Sequence, residues 1–139
     1  MTTVVVDAGP LVALIDGRDE HHAWSRKVLG RLTEAPVTCE AVLTEVLFLL
    51  RADQNAPRKI AGLFGSGWLA LHPAVGQNPG TALALMEAYR NVPMSFADAC
   101  LVRITESISE SVVLTTDSDF HIYRRHRHQA IPLRMPKGR

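Results

Sequence analysis

Five carboxylates, Asp7, Glu45, Asp98, Asp117 and Asp119, stand where this sequence could do chemistry. Residues 4–6 and 112–114 are apolar runs rich in β-branched valine, too brief for helices, and read as buried strands. The first ends on Asp7, just before Gly9-Pro10, and the second runs through Thr115-Thr116 into Asp117 and Asp119. In an open parallel α/β sheet, ligands bind outside the carboxyl ends of the strands, so acids placed there face the reactive crevice. On the helix expected over residues 39–52, Glu40, Thr44 and Arg51 form one polar strip. Glu45 falls about 100° from it, between Phe48 and Leu49. A carboxylate on an apolar face must neutralise, pair or bind a cation, unless the face is open and the acid reaches water. Asp98 lies in the first turn of a helix beginning at Ser95, where Ser95-Phe96-Ala97-Asp98 also fits the acidic variant of a capping box. Asp119 has its own innocent reading as the N-cap of a short helix.

The innocent readings are unrelated, whereas one functional reading covers all five acids. Carboxylates sharing a small volume cannot all ionise without a counter-charge, so convergence implies bound cations or raised pKa values. An all-oxygen donor set selects hard ions, Mg²⁺ or Mn²⁺, and no Cys/His set competes for zinc. Sites of this type hydrolyse phosphodiesters with one or two metals, roughly 3.5–4 Å apart where there are two, which activate a water and stabilise the leaving oxygen.

The elements that must position these acids follow in order. Gly9-Pro10 is expected to turn the chain into an apolar helix over residues 11–15, and a second helix runs from about 19 to 32 with Trp24, Val28 and Leu32 on one face. His21 and His22 lie in its first turn and, being adjacent, do not share a face; they read as exposed. A brief strand over 36–38 leads, with Thr38 as N-cap, into the helix bearing Glu45. Pro57 sits near the first turn of a helix ending by Phe64, and residues 68–71 form the next strand. His72 reads as packed or solvated. Asn78-Pro79 opens a helix to about Tyr89, and Ala97, Leu101, Ile104 and Ile108 mark the next as a core helix. Residues 119–124 read as a short helix and 130–132 as a terse strand before a basic end. Strands alternating with helices predict an α/β three-layer fold, a central, mainly parallel sheet with helices on both faces.

At 139 residues the chain fits one domain over positions 1–139, with a core large enough to need no disulfide staples. Fifteen Lys and Arg against fourteen Asp and Glu exclude a strong polyanion binder or acidic scaffold on overall charge. Cys39 and Cys100 lie in apolar sequence without metal-ligand spacing and read as buried, reduced thiols. No stretch approaches membrane-spanning length and no leader pattern opens the chain, so a soluble, cytoplasmic protein is expected.

Asp7-Ala8-Gly9-Pro10-Leu11, Thr44-Glu45, Phe96-Ala97-Asp98-Ala99 and Thr115-Thr116-Asp117-Ser118-Asp119-Phe120 together resemble the ordered acidic motifs of PIN-domain ribonucleases, most closely the toxin half of VapBC-type toxin-antitoxin pairs. The resemblance runs over essentially the whole chain. It implies a PIN fold, Mg²⁺- or Mn²⁺-dependent cleavage of RNA, a homodimer, and a small antitoxin protein that occupies the active-site groove. Asp7, Glu45, Asp98 and Asp117 would hold the metal, with Asp119 as an auxiliary acid. Thr115 or Thr116 would orient a ligand or water, or serve only as a strand-end residue. Many relatives place Ser or Thr where Gly9 stands, which puts a supporting hydrogen bond in doubt. Arg124, Arg125 and Arg127, with Arg134, Lys137, Arg139, His126 and His128, form a basic flank expected to grip substrate phosphates. A phosphoacceptor receiver domain lacks its acidic pair and lysine here, and a haloacid-dehalogenase-type phosphatase would need Asp where Gly9 stands. The alternative from another class is a PIN-fold module that binds RNA or protein without cleaving.

Overall fold

The computed structural model describes residues 1–76 and 78–137. β1 (Thr3–Val6) and β4 (Ser111–Leu114) pair in parallel, with Val5 opposite Val113 and Val6 opposite Leu114. Every residue of β4 is buried, as expected of a parallel strand covered on both faces, where alternation gives way to a continuous apolar run. β2 (Val37–Thr38) lies beside β1, β3 (Ala70–Leu71) beyond it, and β7 (Leu133–Arg134) on the far side of β4. The sheet therefore runs β3-β2-β1-β4-β7, parallel throughout. From β1 the chain builds outward through β2 and β3, then returns to β4 on the other side of β1. That reversal makes the gap between the carboxyl ends of β1 and β4 the topological switch point.

Among the described residues, six helices complete the α/β three-layer fold: α1 (Ala8–Ile15), α2 (His22–Gly30), α3 (Glu40–Leu49), α4 (Ala56–Gly65), α5 (Gly80–Ala88) and α6 (Phe96–Ser107). α1 packs on α2 and α3, whereas α6 packs on α3, α5 and the two central strands. Its Leu101, Val102 and Ile104 are fully buried, so the expected core helix is present. Among the described residues, no helix is long and apolar enough to cross a membrane.

Several boundaries differ from the sequence reading. Gly9-Pro10 does not turn the chain: α1 starts at Ala8 with Asp7 as its N-cap, because the first helical turn tolerates a proline whose missing N–H has no partner to lose. Thr38 is not an N-cap. It is buried in the sheet, where its hydroxyl donates to the Val6 carbonyl at 2.9 Å, and Cys39 takes the cap position. His21 and His22 are half-buried rather than exposed, and a ring nitrogen of His22 (Nδ1) lies 2.6 Å from the Ala13 carbonyl oxygen.

The largest difference lies after β4. The helix expected over 119–124 is a single 3₁₀ turn, Ser118–His121, and the chain then forms an antiparallel hairpin of β5 (Arg124–Arg125) and β6 (Gln129–Ala130). His126 and Arg127 turn it with φ of 51° and 72°, a left-handed conformation uncommon outside glycine. The terse strand expected over 130–132 separates into β6 and β7, which belong to different sheets. Ladder hydrogen bonds decide this: the Val113 and Thr115 amides donate to the Pro132 and Arg134 carbonyls at 2.9 and 3.1 Å.

Candidate active site

Asp7 is held at the switch point from both strands. Its amide donates to the Leu114 carbonyl at 3.0 Å, continuing the β1–β4 ladder one residue past β1. Its Oδ1 accepts from the Ala8 amide at 2.7 Å and its Oδ2 from the Thr115 hydroxyl at 2.6 Å. The side chain is nevertheless buried, and that desolvation outweighs both hydrogen bonds, with Asp98 and Glu45 adding repulsion. Its carboxyl pKa is pushed up to about 7.

Thr115 holds a second acid as well. Its Oγ1 accepts from the Asp117 amide at 3.0 Å, so one hydroxyl bridges the carboxylate after β1 and the backbone after β4. Asp117 in turn N-caps the 3₁₀ turn, its Oδ1 accepting from the Asp119 amide at 2.9 Å. Asp117, not Asp119, thus fills the cap role considered for Asp119. The Asp119 carboxylate accepts no hydrogen bond from the described residues.

At Asp98 the structural and functional readings coexist. Ser95 and Asp98 form the full capping box of α6: the Asp98 amide donates to Ser95 Oγ at 3.0 Å and the Ser95 amide to Asp98 Oδ2 at 3.2 Å. The same carboxylate accepts from the Tyr123 hydroxyl at 3.0 Å. Burial raises its pKa against those bonds, with Asp117 and Glu45 reinforcing the rise. Tyr123 escaped the sequence reading because no spacing links it to Asp98, 25 residues earlier. It is fully buried and packs edge-on against Phe120 and Tyr89, with ring centroids 5.1 and 5.3 Å apart. Burial, then the charges of Asp98, Asp119 and Asp117, drive its phenol well above the ordinary range, so it remains a donor to Asp98.

Glu45 lies half-buried on α3, and its field reaches both Asp7 and Asp98. Its carboxylate has no hydrogen-bond partner among the described residues. The helix face around it is more open than the sequence implies, since Phe48 is 63 % and Leu49 55 % exposed. These two residues, with Thr44 and Glu45, line a cleft of about 450 Å³.

The fold thus brings Asp7, Glu45 and Asp98 into electrostatic range of one another and Asp117 into range of Asp98, while Asp119 joins them through Tyr123, whose phenol feels Asp98, Asp119 and Asp117 alike. Among the described residues, however, no three His, Cys, Asp or Glu side chains stand as a preformed cation cage. Both oxygens of Asp7 and one of Asp98 face protein donors. The donor chemistry still fits a hard divalent ion: the acids supply only oxygen, and the burial and repulsion that raise Asp7 are what a cation would relieve.

The basic flank divides. Arg125 is buried: one guanidinium nitrogen donates to the Thr105 carbonyl near the end of α6 at 3.3 Å, and its Nε has no partner among the described residues. Arg124 folds back on the carbonyls of His121 and Tyr123 at 2.8 and 3.0 Å, and its amide donates to the Tyr89 hydroxyl. Arg127, Arg134 and Lys137 are exposed, and Arg139 lies outside the described residues. Of the three arginines expected to grip substrate, Arg127 alone is exposed.

An acid-lined switch point with all-oxygen donors is compatible with a metal-assisted phosphodiester site on an α/β sheet. The sequence matches the PIN domain family over residues 4–125, and the chain belongs to that family. Among solved structures it resembles the Mycobacterium tuberculosis toxin VapC20, described as cleaving the sarcin-ricin loop, with a TM-score of 0.75 at 19 % identity over 84 % of this chain and 92 % of that one. No curated protein matches the sequence.

Proposed function

We propose that this PIN-domain protein is a divalent-metal-dependent endoribonuclease and the toxin of a toxin-antitoxin pair. The observation that carries the reading is the electrostatic coupling of Asp7 to Asp98 and Glu45, and of Asp98 to Asp117, with the buried Asp7 carboxyl raised to about 7. The similarity to VapC20 supports it at the level of the fold. Those four acids would hold Mg²⁺ or Mn²⁺, with Asp119 beside them. The ion, when bound, supplies Lewis-acid stabilisation of the phosphate and lowers the pKa of the attacking water. Thr115 keeps Asp7 and the Asp117 backbone in register across β1 and β4. Tyr123 and the Ser95 amide fix Asp98 at the head of α6. Glu45, with no hydrogen-bond partner among the described residues, can turn toward a cation or water.

Arg127 and the partly buried Arg124 would contact RNA phosphates beside the acids. The exposed apolar strip of Leu47, Phe48 and Leu49 next to Glu45 would receive a small antitoxin protein, and a homodimer in the cytoplasm completes the reading. Purified protein incubated with single-stranded RNAs and with RNA bearing the sarcin-ricin loop, in Mn²⁺ and in Mg²⁺, tests the activity. Cleavage should vanish with EDTA and in Asp98→Asn, while the variant stays folded and binds RNA. Activity surviving Asp98→Asn would refute the assignment, and tight RNA binding without cleavage by the wild type would establish a non-catalytic module.

A further inference from the structure

Gly9 and Thr116 interlock beside Asp7. A Cβ built on Gly9 would overlap Thr116 Oγ1 and stand 3.4 Å from Thr116 Cβ, so the threonine hydroxyl occupies the space a side chain at position 9 would need. The two threonines that follow β4 have different commitments. Thr115 points its hydroxyl inward, donating to Asp7 and accepting from Asp117, whereas the half-buried Thr116 has no hydrogen-bond partner among the described residues. A site walled by carboxylates repels a phosphodiester unless neutral or cationic donors face it. The Thr115 and Tyr123 hydroxyls and the Ala8, Ser95 and Asp117 amides are already bonded to protein acceptors.

We propose that Thr116 is a substrate-positioning residue whose hydroxyl, seated in the notch left by Gly9, donates to a phosphate oxygen of the bound RNA. This inference rests on the ribonuclease reading. It assigns Gly9 a role as well: the absence of a side chain there keeps the hydroxyl in place. Thr116→Val removes the hydroxyl at nearly constant volume and should lower kcat/KM by about tenfold, as expected for a lost hydrogen bond to a charged group. The loss should fall in KM, because the contact is made on binding, and the salt dependence of RNA binding should keep its slope because no cation is removed. Thr116→Ser should retain most of the activity.

The notch is tested by moving the hydroxyl across it. Gly9→Ser should lower the melting temperature and activity through overlap with Thr116, and Thr116→Ala should lower activity alone. The double variant Gly9→Ser/Thr116→Ala relieves the overlap and returns a hydroxyl to the same space. Its kcat/KM should therefore exceed that of either single variant, a non-additivity expected only of contacting positions. Thr116→Val cleaving a single-stranded RNA oligonucleotide with wild-type KM in Mn²⁺, or a double variant no better than Thr116→Ala, would overturn the inference while wild-type cleavage and its loss in Asp98→Asn stand. Wild-type cleavage that ignores Asp98→Asn would overturn the ribonuclease reading itself and, with it, the role of Thr116.

Discussion

Asp7 carries the heaviest burden of any single residue. Its carboxyl is raised from an ordinary 3.8 to about 7, chiefly by burial. Below pH 3.8 the folded and unfolded chains are both protonated at this group. Between there and about 7 the folded protein keeps the proton that the unfolded chain releases, so the contribution of Asp7 to stability falls as pH rises, by about 4 kcal/mol across the window. Asp7→Asn should flatten that part of the profile and leave the metal-free protein at least as stable as wild type at pH 8. Thermal unfolding in EDTA from pH 4 to 8 measures it, and an unchanged pH slope would disprove the assignment. A bound cation must displace the same proton, so Mn²⁺ affinity should weaken as pH falls through about 7; calorimetry in buffers of different ionisation enthalpy detects the released proton.

The elements after β4 divide labour in a way composition conceals. Arg125 lies against a carbonyl near the end of α6, where a cation is favoured by the helix dipole, while Arg127 projects from the hairpin turn. Arg125→Ala should destabilise the fold by about 2 kcal/mol, by removing a buried stem and its hydrogen bond, with RNA affinity little changed in the fraction that stays folded. Arg127→Ala should leave the melting temperature alone, weaken RNA binding and reduce its salt slope by about one. Urea unfolding together with binding titrations at several salt concentrations separates the two; equal effects of both substitutions on the salt slope would mean that Arg125 is not the inward-facing residue described.

For the whole molecule, the burial and mutual repulsion that raise the Asp7 carboxyl would be relieved by a bound cation. Mg²⁺ or Mn²⁺ should raise the melting temperature by binding the folded state preferentially, and Asp7→Asn/Asp98→Asn should abolish the shift. Scanning calorimetry with matched inert salt reads this directly, and no shift at millimolar metal would count against a cation site. On the outer surface, Phe48 and Leu49 expose an apolar face beside Glu45. Phe48→Asp should abolish co-purification with the product of an adjacent small reading frame while leaving RNA cleavage intact. Retained co-purification would move the partner elsewhere.

Local pattern alone placed β1, β4 and the core face of α6, because β-branched runs and helical periodicity are properties of neighbouring residues. It also marked the five acids, since strand ends, helix starts and, for Glu45, the apolar face of a helix are visible in one dimension. What it could not show is which acids are constrained by what. Thr115 bridging Asp7 and Asp117, and Tyr123 reaching Asp98, join residues 108 and 25 positions apart, and only the closure of the sheet brings them together. The 3₁₀ turn after β4 reads from sequence as a longer helix, and the hairpin that follows it leaves no signal because its short strands carry no periodicity; its arginines look equivalent until burial separates Arg125 from Arg127. Gly9 read as a missing hydroxyl; the tertiary structure shows that Thr116, from the segment just after β4, occupies its space. Residue types and their order are local information, whereas the exclusion of water and the meeting of distant side chains, which set the charge state of Asp7 and the exposure of each arginine, exist only in the folded chain.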